Sequence, residues 1–319
     1  MKPSVIALIV AIALIFTGGI LLLLGLSFTK GEENITQNND SFMQTTEYIL
    51  SDSFENILID TADCDVDLVL MENADDPYVV IMERNRVHHN VQVENGTLKI
   101  KMADTRNWRD HVGVLQQSMS MTLFLTQEQY LSVQISTDTG YIQIPDVLKI
   151  REASLLSDTG DIDCAAYVTD QMECHTSTGK ITVEYAEPIA MTLKSDTGDI
   201  YVHDAVSTTL HLENDTGRTH LENVFCKQLS SESTTGDVKI QNVLVEEYMQ
   251  VSTDTGDVLI ENSDAGAVNI ATDTGDVSGN FLTSKWFIAE SDTGDIDVPL
   301  SRDGGECRIE TDTGDIQFF

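Results

Sequence analysis

Basic residues are scarce in this sequence. Its 319 residues include 18 Lys and Arg against 53 Asp and Glu, which gives a formal net charge of −35 at pH 7. A protein that binds nucleic acid, or adheres to anionic lipid by charge alone, needs a basic surface because both partners are polyanions. The composition therefore argues against nucleic acid as a partner. It also leaves few cations with which to bind an anionic sugar.

Cysteine and histidine are sparse as well, and neither is arranged for chemistry. The five cysteines are odd in number and lack the spacing of a metal site. Cys164 and Cys174 occupy places that Val or Leu fill in neighbouring copies of a repeat, so we expect small core residues rather than disulfide partners. No cysteine precedes Cys64, so a lipid near the amino terminus would have no thiol acceptor. None of the seven histidines lies in a motif with a Ser or Cys nucleophile.

One short motif, in contrast, occurs many times. Residues 195–200 read SDTGDI, and near copies recur from residue 137 to the end of the chain, with successive glycines 19 or 20 residues apart. A fixed period of that length is typical of stacked coils. We therefore predict an all-β fold, a parallel β-solenoid (β-helix) of 19–20-residue coils. The motif glycines, predicted to form structural turns, are Gly140, Gly160, Gly179, Gly198, Gly217, Gly236, Gly256, Gly275, Gly294 and Gly314.

Each repeat has the alternation of a β-strand. Ile200 and Val202 alternate with polar residues after Gly198, which places one set of side chains on one face of the strand. The second residue after the glycine is Ile or Val in nine of the ten copies, Thr219 being the exception. We expect this column of aliphatic side chains to stack in the core.

Polar columns mark the corner of each coil. Thr precedes every motif glycine, and Ser, Thr or Asn lies three residues before it, so we expect hydroxyl groups that bond to a neighbouring coil. The glycine itself is expected to supply the positive φ of a bend. Asp lies two residues before the glycine in eight copies and one residue after it in seven. This pattern predicts Asx turns, in which each carboxylate accepts a nearby backbone N–H.

The amino-terminal run Val5–Phe28 contains no charged residue. Its 24 or so residues reach about 36 Å as a helix, enough to cross a hydrocarbon core about 30 Å thick. A cleaved signal peptide is the alternative, but its apolar region is usually shorter, about 7 to 15 residues. We predict a cytoplasmic tail (1–4) and a transmembrane helix (5–28). The chain is then a single-pass protein of the cell membrane, with its amino terminus inside and its acidic carboxyl-terminal domain extracellular.

The rest of the chain divides by composition. Residues 29–53 are polar and predicted to be an extracellular linker. Residues 54–135 are predicted to form capping strands and irregular coils, because Thr61–Leu68 aligns with the repeat but has Cys64 in place of glycine. End coils of repeat proteins are usually atypical because they cover an exposed core. Residues 136–319 are predicted to be the regular β-solenoid.

The aspartate columns suggest a possible calcium site. Coils stack about 4.8 Å apart, so adjacent carboxylates repel, and a calcium ion would relieve that repulsion. Backbone hydrogen bonds could offset it without a metal, and calcium-binding solenoids with G-G-x-G-x-D repeats have a different spacing. The sequence leaves both interpretations open. The candidate ligands are Asp254, Asp257, Asp273, Asp276, Asp292, Asp295, Asp312 and Asp315.

An enzyme that acts on polysaccharides is a further, less favoured alternative. β-Helix enzymes that act on polysaccharides carry carboxylates on an outer face, but here the carboxylates repeat identically, whereas an active site needs an asymmetric cleft with differing environments. The motif glycines are flanked by threonines that could suggest ice binding, but that function needs an uncharged array, and aspartates flank these threonines. A non-catalytic chain without a cofactor is therefore the expectation.

The ten motifs, the early strands and the amino-terminal apolar run together resemble a bacterial family of putative adhesins, a membrane-anchored domain of unknown function. The resemblance covers about residues 54–319. It implies a β-solenoid fold, a surface or envelope location, and a role as an adhesin or envelope scaffold with an unknown envelope ligand. It implies no catalytic residues. The motif is interrupted in the first and middle coils, at Cys64, Ser177, Lys180, Arg218, Thr219 and Thr234.

Overall fold

The computed structural model describes residues 43–71, 76–84, 86–104 and 118–319. All regular elements of these residues are β-strands. The predicted transmembrane segment Val5–Phe28 lies outside the described ranges, as does the first part of the predicted linker. Within the described ranges, no helix has the length and apolar character needed to cross a membrane.

The first seven strands cover one end of the molecule and include its first coil. They are β1 (Met43–Ile49), β2 (Asn56–Asp60), β3 (Cys64–Leu70), β4 (Tyr78–Arg84), β5 (Val87–Glu94), β6 (Thr97–Asp104) and β7 (Met119–Leu125).

The next fifteen strands build the regular stack. They are β8 (Gln129–Thr139), β9 (Ile142–Ile144), β10 (Lys149–Thr159), β11 (Ile162–Cys164), β12 (Tyr167–Thr178), β13 (Ile181–Glu184), β14 (Ala190–Thr197), β15 (Ile200–His203), β16 (Val206–Thr216), β17 (Thr219–Glu222), β18 (Phe225–Thr235), β19 (Val238–Gln241), β20 (Leu244–Thr255), β21 (Val258–Thr274) and β22 (Val277–Phe281). The last two coils contain β23 (Lys285–Thr293), β24 (Ile296–Asp297), β25 (Gly305–Thr313) and β26 (Ile316–Phe318).

Each regular coil contributes a long strand to one sheet and a short strand to another. We call the sheet of short strands sheet A and the sheet of long strands sheet B; β21 is long enough to run through both. From β8 and β9 onward all pairings are parallel and join equivalent residues of adjacent coils, such as Ile181 with Ile200 and Leu193 with Leu212. The predicted parallel β-solenoid is therefore confirmed.

The core is a set of aliphatic columns that run along the stack. The column two residues after the motif glycine is fully buried at Ile142, Ile181 and Ile200, and Thr219 is buried in the same column. Burying one such side chain contributes about 1.5–3 kcal/mol, and the column repeats this contribution from coil to coil. Cys164 and Cys174 are buried in core columns as expected, and all five cysteines are free.

The motif glycines lie where adjacent coils come closest. A Cβ on any of the ten would approach within 1.9–2.2 Å of the carbonyl oxygen of the equivalent residue in an adjacent coil, closer than any real side chain allows. Eight of them have φ between 144° and 159°, but Gly140 and Gly179 lie outside the left-handed region that favours glycine. The constraint common to all ten is therefore the contact between coils rather than the bend. Cys64 occupies the equivalent place in the first coil, since its carbonyl oxygen faces Gly140.

The last two coils do not stack in the order of the sequence. Strand β25 lies between β21 and β23, and β26 lies between β22 and β24. After the coil of Gly275, the chain skips one level of the stack and forms the coil of Gly294. It then returns, and the coil of Gly314 occupies the skipped level. The four carboxyl-terminal motif glycines are stacked in the order Gly256, Gly275, Gly314 and Gly294.

Candidate functional site

An exposed acidic corner runs along the stack where sheet B meets sheet A. It contains the aspartates before and after each motif glycine, and Asp254 and Asp257 are both exposed on either side of Gly256. Because the last two coils exchange places, the eight candidate metal ligands form four adjacent levels, but not in sequence order.

The aspartates that follow the glycines form a ladder between coils. Asp257 Oδ1 accepts the backbone N–H of Asp276, Asp276 Oδ1 accepts that of Asp315, and Asp315 Oδ1 accepts that of Asp295, each at 2.8 Å. The expected Asx turns are therefore wrong for these residues, because the bonds join neighbouring coils rather than residues of one turn. Because equivalent aspartates occupy one column of the stack, each accepting carboxylate lies beside the backbone N–H of the equivalent residue in an adjacent coil.

This ladder gives three of the eight candidate metal ligands a partner without a metal. The carboxylates of Asp257, Asp276 and Asp315 accept its bonds, whereas Asp295 takes part only through its backbone N–H. Asp254, Asp273, Asp292 and Asp312 lie in the exposed column on the other side of the glycines. In the described part of the chain, no three or more His, Cys, Asp or Glu side chains are grouped so that they could hold a metal ion. Calcium binding stays a prediction.

The hydroxyl groups three residues before the glycines bond to a neighbouring coil as expected, except at Ser233, whose Oγ has no hydrogen-bond partner. Ser195 Oγ donates to Gly179 O at 3.1 Å, and Thr176 Oγ1 donates to Gly160 O at 3.0 Å. Asn214 Nδ2 makes the equivalent bond to Gly198 O at 3.0 Å. The acceptor in each case is the glycine of the adjacent coil, so this column ties the corner together.

A second corner, between sheet A and the following long strand, was missed by the sequence analysis. Asp204, Asn223, Asn242 and Asn262 lie there with φ between 49° and 55°, the left-handed region that Asn and Asp tolerate better than other side chains. Their side chains bond from coil to coil: Asn223 Nδ2 to Asp204 Oδ1 at 2.9 Å, and Asn242 Nδ2 to Asn223 Oδ1 at 3.2 Å. The recurrence of Asn at a 19- or 20-residue spacing was the signal that could have revealed it.

The outer face of sheet A is interrupted near the middle of the stack by a groove of about 360 Å³, which we call the central groove. Tyr201, His220, Lys239 and Leu259 occupy one outward column of four successive coils and line it. The corner residues that line it are Arg218, Asp237 and Asp257.

Three rings cluster at one end of this groove. Tyr201 and His203 are stacked with centroids 6.2 Å apart, and His220 meets both edge-on at 6.0 and 5.7 Å. His203 Nδ1 lies 3.3 Å from Glu222 Oε2, so one imidazole has a carboxylate partner. His220 Nε2 is buried and has no hydrogen-bond partner, which is unusual for a polar atom without contact to solvent.

Asp199 fixes the position of the neighbouring groups. Its carboxylate accepts bonds from the Arg218 backbone N–H at 2.8 Å, the Tyr201 hydroxyl at 2.9 Å and the Arg218 guanidinium at 3.1 Å. Burial alone would raise the pKa of this carboxyl, but the three bonds outweigh burial and lower it. Burial lowers the pKa of the His220 imidazole, and the nearby Lys239 ammonium lowers it further. The groove therefore presents a neutral imidazole between fixed charges of both signs.

A larger open groove, of about 540 Å³, lies near the amino-terminal end and includes Lys149, Arg151 and Tyr167. Its two cations face carboxylates, Lys149 toward Glu128 at 3.6 Å and Arg151 toward Asp170 at 3.6 Å. We favour the smaller central groove as the candidate site, because it combines a ring cluster with an unpartnered buried nitrogen. In the sequence, Arg218 and Thr219 stand out only as departures from the motif.

Fold and surface together define a β-solenoid repeat protein with a polar outer face. The chain belongs to the Toastrack DUF4097 family, whose model matches residues 54–224 and 216–318.

Several solved structures are similar to it. One is a putative adhesin from Parabacteroides merdae, with 13% identity, a TM-score of 0.47, and coverage of 77% of this chain and 98% of the other. A putative lipid binding protein from Parabacteroides distasonis has 13% identity, a TM-score of 0.46 and the same coverage. A putative adhesin from Bacteroides fragilis has 12% identity and a TM-score of 0.35, and covers 87% and 97%. No curated protein matches the chain.

Proposed function

We propose that this chain is a non-catalytic binding protein displayed on a bacterial envelope. The apolar run Val5–Phe28 holds it in the cell membrane, and the solenoid stands outside as an adhesin or scaffold surface. Membership of the Toastrack family supports this, and the description of structurally similar proteins as putative adhesins is consistent with it. The net charge of −35 also suits a soluble, displayed domain.

The observation that carries the proposal is the central groove. In the last four coils of the acidic corner the same side chains repeat from level to level, whereas here Arg218 replaces the corner aspartate, and His220 and Lys239 occupy the neighbouring column. A binding site needs such a local difference, because a repeated surface offers the same weak contact at every level.

The chemistry of the groove defines its ligand class. Arg218 and Lys239 are donors, Asp237 and Asp257 are acceptors, and Tyr201 offers an aromatic ring. We propose that it binds an uncharged sugar unit of an envelope polysaccharide. Such a ligand has hydroxyl groups that both donate and accept, and an apolar ring face that packs on an aromatic side chain.

A pull-down tests this proposal. The solenoid, residues 43–319, is incubated with purified neutral and acidic envelope polysaccharides, and bound sugar is measured. We expect retention of neutral polysaccharide by the wild type and at least a tenfold loss with Y201A, since stacking and a hydrogen bond together contribute about 1.4 kcal/mol or more.

The matched control is Y141A. Tyr141 also bonds to an aspartate, Asp163, at 2.7 Å on the same side of the stack, but lies outside the central groove. Equal binding by Y201A and the wild type would refute the site. Binding of acidic polysaccharide alone would refute the ligand class.

A further inference from the structure

The two ends of the solenoid are finished differently. At the amino-terminal end, β5 pairs antiparallel with β6, and β1 and β4 pair antiparallel beyond β7. These strands run against the direction of the coils and cover that end. At the opposite end, the coil of β23 and β24 is the outermost level of the described chain, and no described strand lies beyond it.

The outermost coil exposes side chains that belong to the core. Ile296 occupies the column two residues after the glycine, where Val258, Val277 and Ile316 are fully buried, yet Ile296 is 45% exposed. Leu300 is fully exposed. Stacked-repeat proteins need a polar outer face on their terminal repeats, because an open end leaves the apolar core in water.

This end also has two open sheet edges. Strand β23 pairs with β25 on one side, and β24 pairs with β26 on one side. Their other edges present backbone N–H and C=O groups with no partner strand among the described residues, which is a template for pairing with another β-strand. Another coil of the same width would pair with both strand edges and would cover the apolar end between them.

We propose that this end binds the same end of a second copy of this chain, so that the solenoid forms a two-fold dimer through β23 and β24. A two-fold axis makes β23 pair antiparallel with its copy. The acidic end of one strand, at Asp292, then lies beside the start of the other, Leu282–Trp286, which contains no carboxylate. Antiparallel pairing therefore keeps the two acidic corners apart and reduces the repulsion between the two copies.

A second copy is favoured over continuation of the stack by the amino-terminal end of another molecule. That end is already covered by the antiparallel strands β1, β4 and β5, and the described residues there present no free coil of parallel strands. The inference goes beyond the proposed function, because neither the central groove nor its ligand takes part in it.

Cysteine cross-linking of the full chain in detergent tests the geometry. The five native cysteines are buried, so an added surface cysteine reacts on a low background. Glu290, near the middle of β23, is exposed, and E290C is expected to give covalent dimers with a short bis-maleimide. The control is E232C, because Glu232 is exposed in the same outward column of sheet B, several levels from the end. Equal cross-linking of both variants, or of neither, would overturn the proposal.

Light scattering of the full chain in detergent tests the apolar contact over a dilution series. We expect the wild type to have twice the monomer mass and I296K to be monomeric. V147K is the control, since Val147 is 46% exposed but lies in an amino-terminal coil, and it should stay dimeric. A monomeric wild type, longer open-ended assemblies, or an I296K variant that stays dimeric would each contradict the two-fold contact.

Discussion

Replacing Gly217 with alanine should separate the contact between coils from simple backbone strain. The new Cβ would lie 2.1 Å from Gly198 O, and no side-chain rotation can relieve the clash because the neighbour is backbone. The two coils must move apart by more than about 1 Å, since real Cβ contacts do not fall below 3.0 Å. That movement breaks the bonds from Gly198 N to Thr216 O at 2.8 Å and from Ile200 N to Arg218 O at 2.8 Å.

The expected magnitude follows from these terms. Two lost backbone bonds cost about 1–3 kcal/mol together, and a side chain at φ 144° adds about 1–3 kcal/mol. We therefore expect G217A to lower the free energy of unfolding by about 2–6 kcal/mol. The matched control is G96A, because Gly96 has a positive φ of 72° but nothing within 4 Å of its Cβ position. It should cost about 1 kcal/mol.

The assay is urea unfolding of residues 43–319, followed by circular dichroism and fluorescence. A lower midpoint for G217A than for G96A is the expected result. Equal losses in the two variants would refute the close-contact explanation and leave positive φ as the sole reason for glycine.

Three further results are expected. D257A should lower the free energy of unfolding by about 0.5–1.5 kcal/mol because Asp257 Oδ1 accepts the N–H of Asp276, whereas D254A should change it by less than about 0.5 kcal/mol; equal values would contradict the ladder. The five cysteines should resist thiol reagents in the native state and react in urea, since burial raises the pKa of four of their thiols to about 12; fast native labelling would contradict this. Burial lowers the pKa of His89, against the opposing effect of Glu83, so folding favours the neutral ring: its contribution is present above about pH 6.5 and is lost as the pH falls through the lowered pKa. Acid titration of H89Q should show a weaker loss of stability in that window than the wild type, and an unchanged profile would exclude His89 as the cause.

The sequence allowed the register of the coils to be predicted, but not their order in space. Each copy of the motif determines which residues stack on it, because only the backbone of an adjacent coil fits against its glycine at the corner. The coils of Gly294 and Gly314 carry nearly the same motif, so either would fit on Gly275, and nothing in the repeat itself distinguishes them. Contacts outside the repeat do distinguish them: the ammonium of the buried Lys285, in the coil of Gly294, bonds to Asp264 and to Ala265 O.

The candidate site was less predictable for a related reason. Departures from the repeat show where one coil differs from the next, and Arg218 and Thr219 are two such departures. Departures in different coils lie close together on the surface only if their side chains occupy suitable outward columns. Tyr201, His220 and Lys239 share one column only because their coils are 19 residues long without an insertion. Burial of His220 Nε2 is a property of the assembled face and has no sequence signal.

Protease treatment of intact cells tests the central claim, that the solenoid is displayed outside the membrane. Protease should cut within residues 29–42, which are mostly polar and precede strand β1, and release the solenoid into the medium as a soluble fragment. A cytoplasmic protein is followed in the same sample as the control for lysis. Release from intact cells is the predicted result. A chain that stays whole on intact cells and is cut at the same segment only after lysis would contradict the account.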